Sequence, residues 1–129
     1  MNNQFQNLQT GKTVVYNLEE RTAKFAEDVI DLIRTIKVSP INARIIEQLI
    51  GSTGSVGANY CEANEAESKK DFIHKVGICK KESKESQHWI RLLSRTNPEV
   101  AKQLTDCWKE AHELLLIFSK IISSSRLKI

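Results

Sequence analysis

An all-α, antiparallel up-down-up-down four-helix bundle is predicted by three observations. Apolar residues recur at alternating steps of four and three in four separate stretches, the spacing that stacks side chains on one helix face. Ser39-Pro40 and Asn97-Pro98 fall between stretches as cap-then-proline signals for new helix starts. Glycine and proline are scarce, 5 and 2 in 129 residues, and no run alternates apolar with polar as a half-buried strand would. A chain of this size suits a single domain with a core that needs no disulfides.

Residues 1–16 are rich in Asn and Gln with isolated apolar points at Phe5, Leu8, Val14 and Val15, and are expected to form a loose arm outside a bundle domain at 17–122. The first helix is placed at 17–36. Asn17 followed by Glu20 makes a reciprocal cap, and Leu18, Thr22, Phe25, Val29, Leu32 and Ile36 form its apolar seam. The second is placed at 40–66, with one seam through Ile45, Leu49, Ser52, Val56, Asn59 and Ala63 and another through Ile46, Ile50, Thr53, Gly57, Tyr60 and Asn64. Gly51, Ser52, Gly54, Ser55, Gly57 and Ala58 are all small. Because glycine weakens a helix by about 1 kcal/mol relative to Ala, close approach of another backbone is the expected reason for this run, with a break into a loop as the alternative.

Ser68 with Asp71 caps the third helix, placed at 68–96, whose seam is Phe72, Val76, Cys79, Ser83, Ser86, Ile90 and Leu93. The fourth, at 98–122, carries Val100, Leu104, Cys107, Ala111, Leu114, Phe118 and Ile121. Leu115, Leu116, Ile117 and Ile122 widen that seam beyond the need of one bundle, which points to a subunit interface in a homo-oligomer. Residues 123–129 are expected to be a frayed tail.

Cys61, Cys79 and Cys107 are an odd set without a Cys-x-x-Cys pair, and fit reduced core residues of a cytoplasmic protein better than a disulfide framework or zinc knuckle. The first residues lack the basic start and apolar run of a signal peptide, and no apolar stretch nears the ~18 residues of a membrane span. The net charge of +3 is unevenly distributed: residues 69–95 hold eight Lys and Arg against three acids, and the remainder eleven against thirteen.

Catalytic patterns are missing. There is no Gly-x-Ser-x-Gly, and the glycines at 51–57 are not followed by the Lys of a phosphate loop, so no enzymatic activity and no cofactor are expected. Glu85-x-x-His88 and Asp71-x-x-His74 resemble half of a bundle di-metal motif. Both lie on one helix about 20 Å apart and cannot converge, and His112 beside Glu113 has no matching partner; no metal site is expected.

Two polar groupings remain. Asn59 and Glu62 on the second helix, and Glu82, Ser83, Glu85 and Ser86 on the third, sit at or beside seam positions, and are expected as a buried polar layer fixing register or lining a pocket. On the back of the third helix, about 200° round from its seam, Lys70, His74, Lys81, Lys84, His88, Arg91 and Arg95 repeat without an acid among them. Such a ladder either keeps the protein soluble or contacts nucleic-acid phosphates. Trp89 is within reach of a base on this stripe, but it and Trp108 are read as packed.

The residues at 17–26, 48–52, 55–63 (Ser-Val-Gly-Ala-Asn-Tyr-Cys-Glu-Ala), 68–73 and 81–93 (ending Gln-His-Trp-Ile-Arg-Leu-Leu) resemble the bacterial four-helix bundle proteins encoded, in some species, by intervening sequences of 23S rRNA genes. The resemblance runs over about 16–122 and implies an antiparallel bundle assembled into a ring, commonly a pentamer. It further implies kinship with the accessory protein of diversity-generating retroelements, a basic ring that binds nucleic acid and a reverse transcriptase. Gly51 departs from it, standing where the family usually carries Arg. Together these features lead to the expectation of a non-catalytic, oligomeric RNA- or DNA-binding adaptor, or else of a protein-interaction scaffold with no affinity for nucleic acid.

Overall fold

The computed structural model describes residues 17–127, so the expected arm at 1–16 lies outside the described residues. Among the described residues four α-helices form: α1 (Leu18–Ile33), α2 (Ala43–Asn64), α3 (Lys69–Thr96) and α4 (Ala101–Leu127). They pack as a four-helix bundle in which each helix lies against its neighbours in sequence and α1 meets α4 most sparingly. Cross-helix pairs fix the antiparallel courses. Ser52 meets Ser86 and Glu62 meets Lys75 between α2 and α3, whereas Arg21 reaches Glu110 between α1 and α4.

The predicted starts are mostly visible as hydrogen bonds. The Asn17 side chain accepts from the Glu20 amide at 3.1 Å and the Ser68 hydroxyl from the Asp71 amide at 3.0 Å, each satisfying a donor that the first turn leaves unpaired. The second start needs a correction. Pro40, Ile41 and Asn42 form a turn, and α2 proper begins at Ala43. The Ser39 hydroxyl does accept weakly from the Ile41 and Asn42 amides, while the Asn42 side chain accepts from the Ser39 amide at 2.8 Å, so Asn fills the returning position of a capping box. Pro98 likewise opens a short 3-10 turn, Pro98–Val100, before α4.

At the other ends, α1 closes at Ile33 with tight turns through Ile36, and α2 stops at Asn64. The fourth helix runs on to Leu127 where fraying from 123 was expected, and buries Ser125. The α2 helix passes through its glycine run unbroken. Only at Gly57 is the expected close approach present: a Cβ there would sit 3.1 Å from the Thr22 hydroxyl of α1, whereas at Gly51 and Gly54 it would meet nothing within 4 Å.

The core joins Leu18, Phe25 and Val29 of α1 to Leu49, Val56 and Tyr60 of α2, Val76, Ile90 and Leu93 of α3, and Leu104, Leu114 and Phe118 of α4. The Tyr60 and Phe118 rings, both fully buried, lie 6.2 Å apart across it; truncating one such aromatic to Ala typically removes about 3–5 kcal/mol of stability. At one end of the bundle the buried Asn42 amide donates to the Asn97 side-chain oxygen at 3.0 Å, tying the α1–α2 connector to the α3–α4 connector.

Candidate nucleic-acid interface

The site is built by α3, a single helix of 28 residues without interruption, about 42 Å long. Its buried side contains Phe72, Val76, Cys79, Ser83, Ser86, Ile90 and Leu93, the whole predicted seam. Lys70, His74, Lys81, Lys84, His88, Arg91 and Arg95 are all exposed on the opposite side. The ion pairs among the described residues engage Lys75, Lys24 and Arg21 and none of these seven. The lysine and arginine heads of the stripe therefore face solvent, although the Lys81 charge also acts on the neighbouring Glu82 carboxylate.

The buried polar layer is not where it was expected. Glu62 and Glu85 are exposed and Asn59 and Glu82 half-buried. Glu62 accepts from Lys75 at 2.6 Å, a bond that holds the Lys75 ammonium above its ordinary pKa, and Glu85 accepts from the Trp89 indole at 3.1 Å. Asn59 turns back to donate to the Ser55 carbonyl at 2.9 Å. Partial burial, aided by the neighbouring Glu85 charge, raises the Glu82 carboxyl above its usual value. Long acidic chains at the edge of a seam swing their heads into water, while the short hydroxyls beside them stay inside. Ser83 and Ser86 donate to the Cys79 and Glu82 carbonyls at 2.9 Å, and Ser86 also meets Ser52 at 3.0 Å. Such back-bonding satisfies a hydroxyl without a distant partner. Gln87 was not singled out by the sequence; it is buried with neither amide atom hydrogen-bonded.

Between α3 and α4 lies an open groove of about 690 Å³, lined by Gly77, Lys80, Lys81, Lys84, Glu85, His88 and Leu115. Three lysines thus stand round an apolar floor. The other edge of α4 forms a second cleft with α1, of about 290 Å³, whose walls carry Asp28, Asp106 and Glu110 beside Phe25, Leu32 and Cys107. Burial, with the Asp28 and Asp106 charges, pushes the Cys107 thiol up to about 11, and burial pushes Cys79 up to about 12. Neither thiol is ready to act as a nucleophile near neutral pH.

The two tryptophans differ. Trp89 is packed against the core as expected. Trp108 is 39% exposed, contrary to expectation, and its ring stacks on that of His112 at 5.4 Å and 10°. The apolar surplus of α4 is mostly absorbed within the chain: Ile122 is buried and Ile117 packs against the core, leaving Leu116 exposed. Among the described residues there is no group of three or more His, Cys, Asp or Glu placed to hold a metal, and no helix is long and apolar enough to cross a membrane.

With this geometry established, comparison with known proteins identifies the relatives. The family model described as 23S rRNA-intervening sequence protein matches residues 16–120. The chain belongs to that family. A crystal structure of a protein of unknown function from the S23 ribosomal protein family of Bacteroides thetaiotaomicron is similar to it, with 29% identity over 81% of this chain and 96% of that one, and a TM-score of 0.70. No curated protein matches. Nothing in these likenesses indicates catalysis.

Proposed function

We propose that this 23S rRNA-intervening sequence family member is a non-catalytic adaptor that holds RNA or DNA by its phosphates along α3, without reading sequence. The observation that carries the reading is the exposed ladder from Lys70 to Arg95, with none of its members in an ion pair among the described residues. Exposed cations outside ion pairs exchange water and counterions for phosphate at low cost, and release of those counterions makes the affinity fall steeply with salt. Arg91 and Arg95 add flat guanidinium forks suited to phosphate oxygens. Self-association belongs to the same proposal, because repeating the ladder in a homo-oligomer multiplies its hold on a long polyanion; exposed Leu116 marks the α4 face where copies would meet.

The test is binding of labelled RNA and DNA at two salt concentrations by the wild type and by a variant with Lys81, Lys84, Arg91 and Arg95 changed to Ala. The expected result is binding at about 50 mM salt, weakened about tenfold or more by the changes, with the slope of log affinity against log salt reduced by about 3. No binding at low salt, or binding indifferent to the four changes, refutes the proposal.

A second reading, a protein-interaction scaffold, is favoured by one observation. Val38 and Ile41, 61% and 74% exposed, stand at the α1–α2 connector, where large apolar side chains gain from being covered by a partner. It predicts a stable complex or oligomer that ignores nucleic acid.

A further inference from the structure

Building on the proposed nucleic-acid reading, we infer that the α3–α4 groove and the Trp108–His112 stack form one binding track for single-stranded nucleic acid, phosphates on the lysines and a base on the indole. The groove comes first. The cationic ladder of α3 steps by four and three from Lys70 through His74 to Lys81 and Lys84, and the rung missing from that progression is Gly77. A Cβ at Gly77 would meet nothing within 4 Å, so no neighbour demands a glycine there. Its effect is to leave the ladder notched, and the notch is part of the groove bordered by Lys80, Lys81, Lys84 and Leu115. Glu85 is the acid among the lining residues, and the Trp89 indole already donates to its carboxylate.

The aromatic end follows from helix geometry. Trp108 precedes Leu115 by seven residues on α4, which puts it on nearly the same edge about 10 Å further along. Because α3 and α4 run antiparallel, that step leads away from Lys81 and Lys84 toward the level of His88 and Arg91. There the exposed indole lies parallel to the His112 ring at 5.4 Å, a flat aromatic surface at the level of Arg91. A regular duplex offers such a surface nothing, since its bases are stacked inside and its outside is phosphate and sugar. A single strand can seat its phosphates among lysines and turn a base onto a Trp face, the combination that proteins use for unpaired strands.

The experiment compares a labelled single-stranded oligonucleotide, the same sequence as a duplex, and an abasic strand of equal length, at about 50 mM salt. Proteins are the wild type, Trp108→Ala, Trp108→Phe and Lys81→Ala/Lys84→Ala, with thermal melts to verify folding. In a Trp89→Phe background the remaining indole reports directly, and single strand is expected to quench it. Trp108→Ala is expected to weaken the single strand roughly tenfold while leaving the abasic strand unchanged, Trp108→Phe to restore most of the loss, and the lysine pair to weaken all three ligands. Tight, lysine-dependent duplex binding with Trp108→Ala neutral overturns this inference and leaves the phosphate reading standing. Failure of all three ligands to bind overturns both.

Discussion

The two edges of α4 make an instructive pair. Against α3 it borders a groove with an apolar floor at Leu115 and walls of Lys80, Lys81 and Lys84; against α1 it borders a cleft with an apolar floor at Phe25 and Leu32 and walls of Asp28, Asp106 and Glu110. Both floors are apolar, but the first groove, at about 690 Å³, is more than twice the volume of the second, at about 290 Å³, and the sign of the walls is opposite. On the proposed reading a polyanion would favour the first over the second, with charge adding to size in deciding which face it meets. The clefts also differ in how their helices are tied. Arg21 of α1 holds Glu110, a wall residue of the acidic cleft, in a two-bonded ion pair at 2.8 and 2.9 Å, while no lysine of the basic groove is in an ion pair among the described residues.

The largest expected effect comes from inverting that contrast. Lys81→Glu with Lys84→Glu should lower affinity for a labelled RNA at least roughly a hundredfold at low salt, because two attractions become repulsions. Asp28→Lys with Asp106→Lys should leave it equal or slightly higher. Similar losses from both pairs would mean that general folding damage, not the local field, is being read. Next, Arg21→Ala should cost about 1 kcal/mol in denaturant unfolding, as both partners are only partly exposed and Glu110 loses a two-point bond. Hydrogen exchange should then quicken in α1 before α3, since α1 is the shorter helix with the sparser contact to α4.

The smallest effect concerns Cys107. The carboxylates beside it disfavour the thiolate, which is why they add to the burial that lifts its pKa to about 11. Asp28→Asn with Asp106→Asn removes negative charge, lowers that pKa, raises the thiolate fraction at pH 8 and should speed alkylation a few-fold. Burial, the larger cause, remains, so the rate should stay below that of exposed Cys61. A rate that falls instead would contradict the assigned causes.

Periodicity was enough to find α3 and its two faces, because a 28-residue amphipathic helix with a Ser cap leaves few alternatives. It was weaker wherever a residue sat at the margin of a seam. Glu62 and Glu85 are sequence neighbours of buried residues but lie about 80° round the helix from the edge of the buried sector, and both are exposed; adjacency in sequence is not adjacency on a helix face. The tryptophans both flank a seam, yet the core takes Trp89 and leaves Trp108 outside. The start of α2 lies three residues beyond Pro40 because the Asn42 side chain returns to the Ser39 amide and holds 40–42 as a turn. The notch at Gly77 was legible in principle, as a glycine interrupting a cationic series.

The Asn42–Asn97 bond fastens the end of the bundle where both of its connectors lie, whereas the opposite end bears the short bend at 65–68, the beginning of α1 and the finish of α4. The rod is thus polar in the geometrical sense, with a riveted head and a tail where α1 begins and α4 finishes. A strand held along α3 as proposed would run from the end where α1 begins and α4 finishes, at Lys70, to the riveted end, at Arg95.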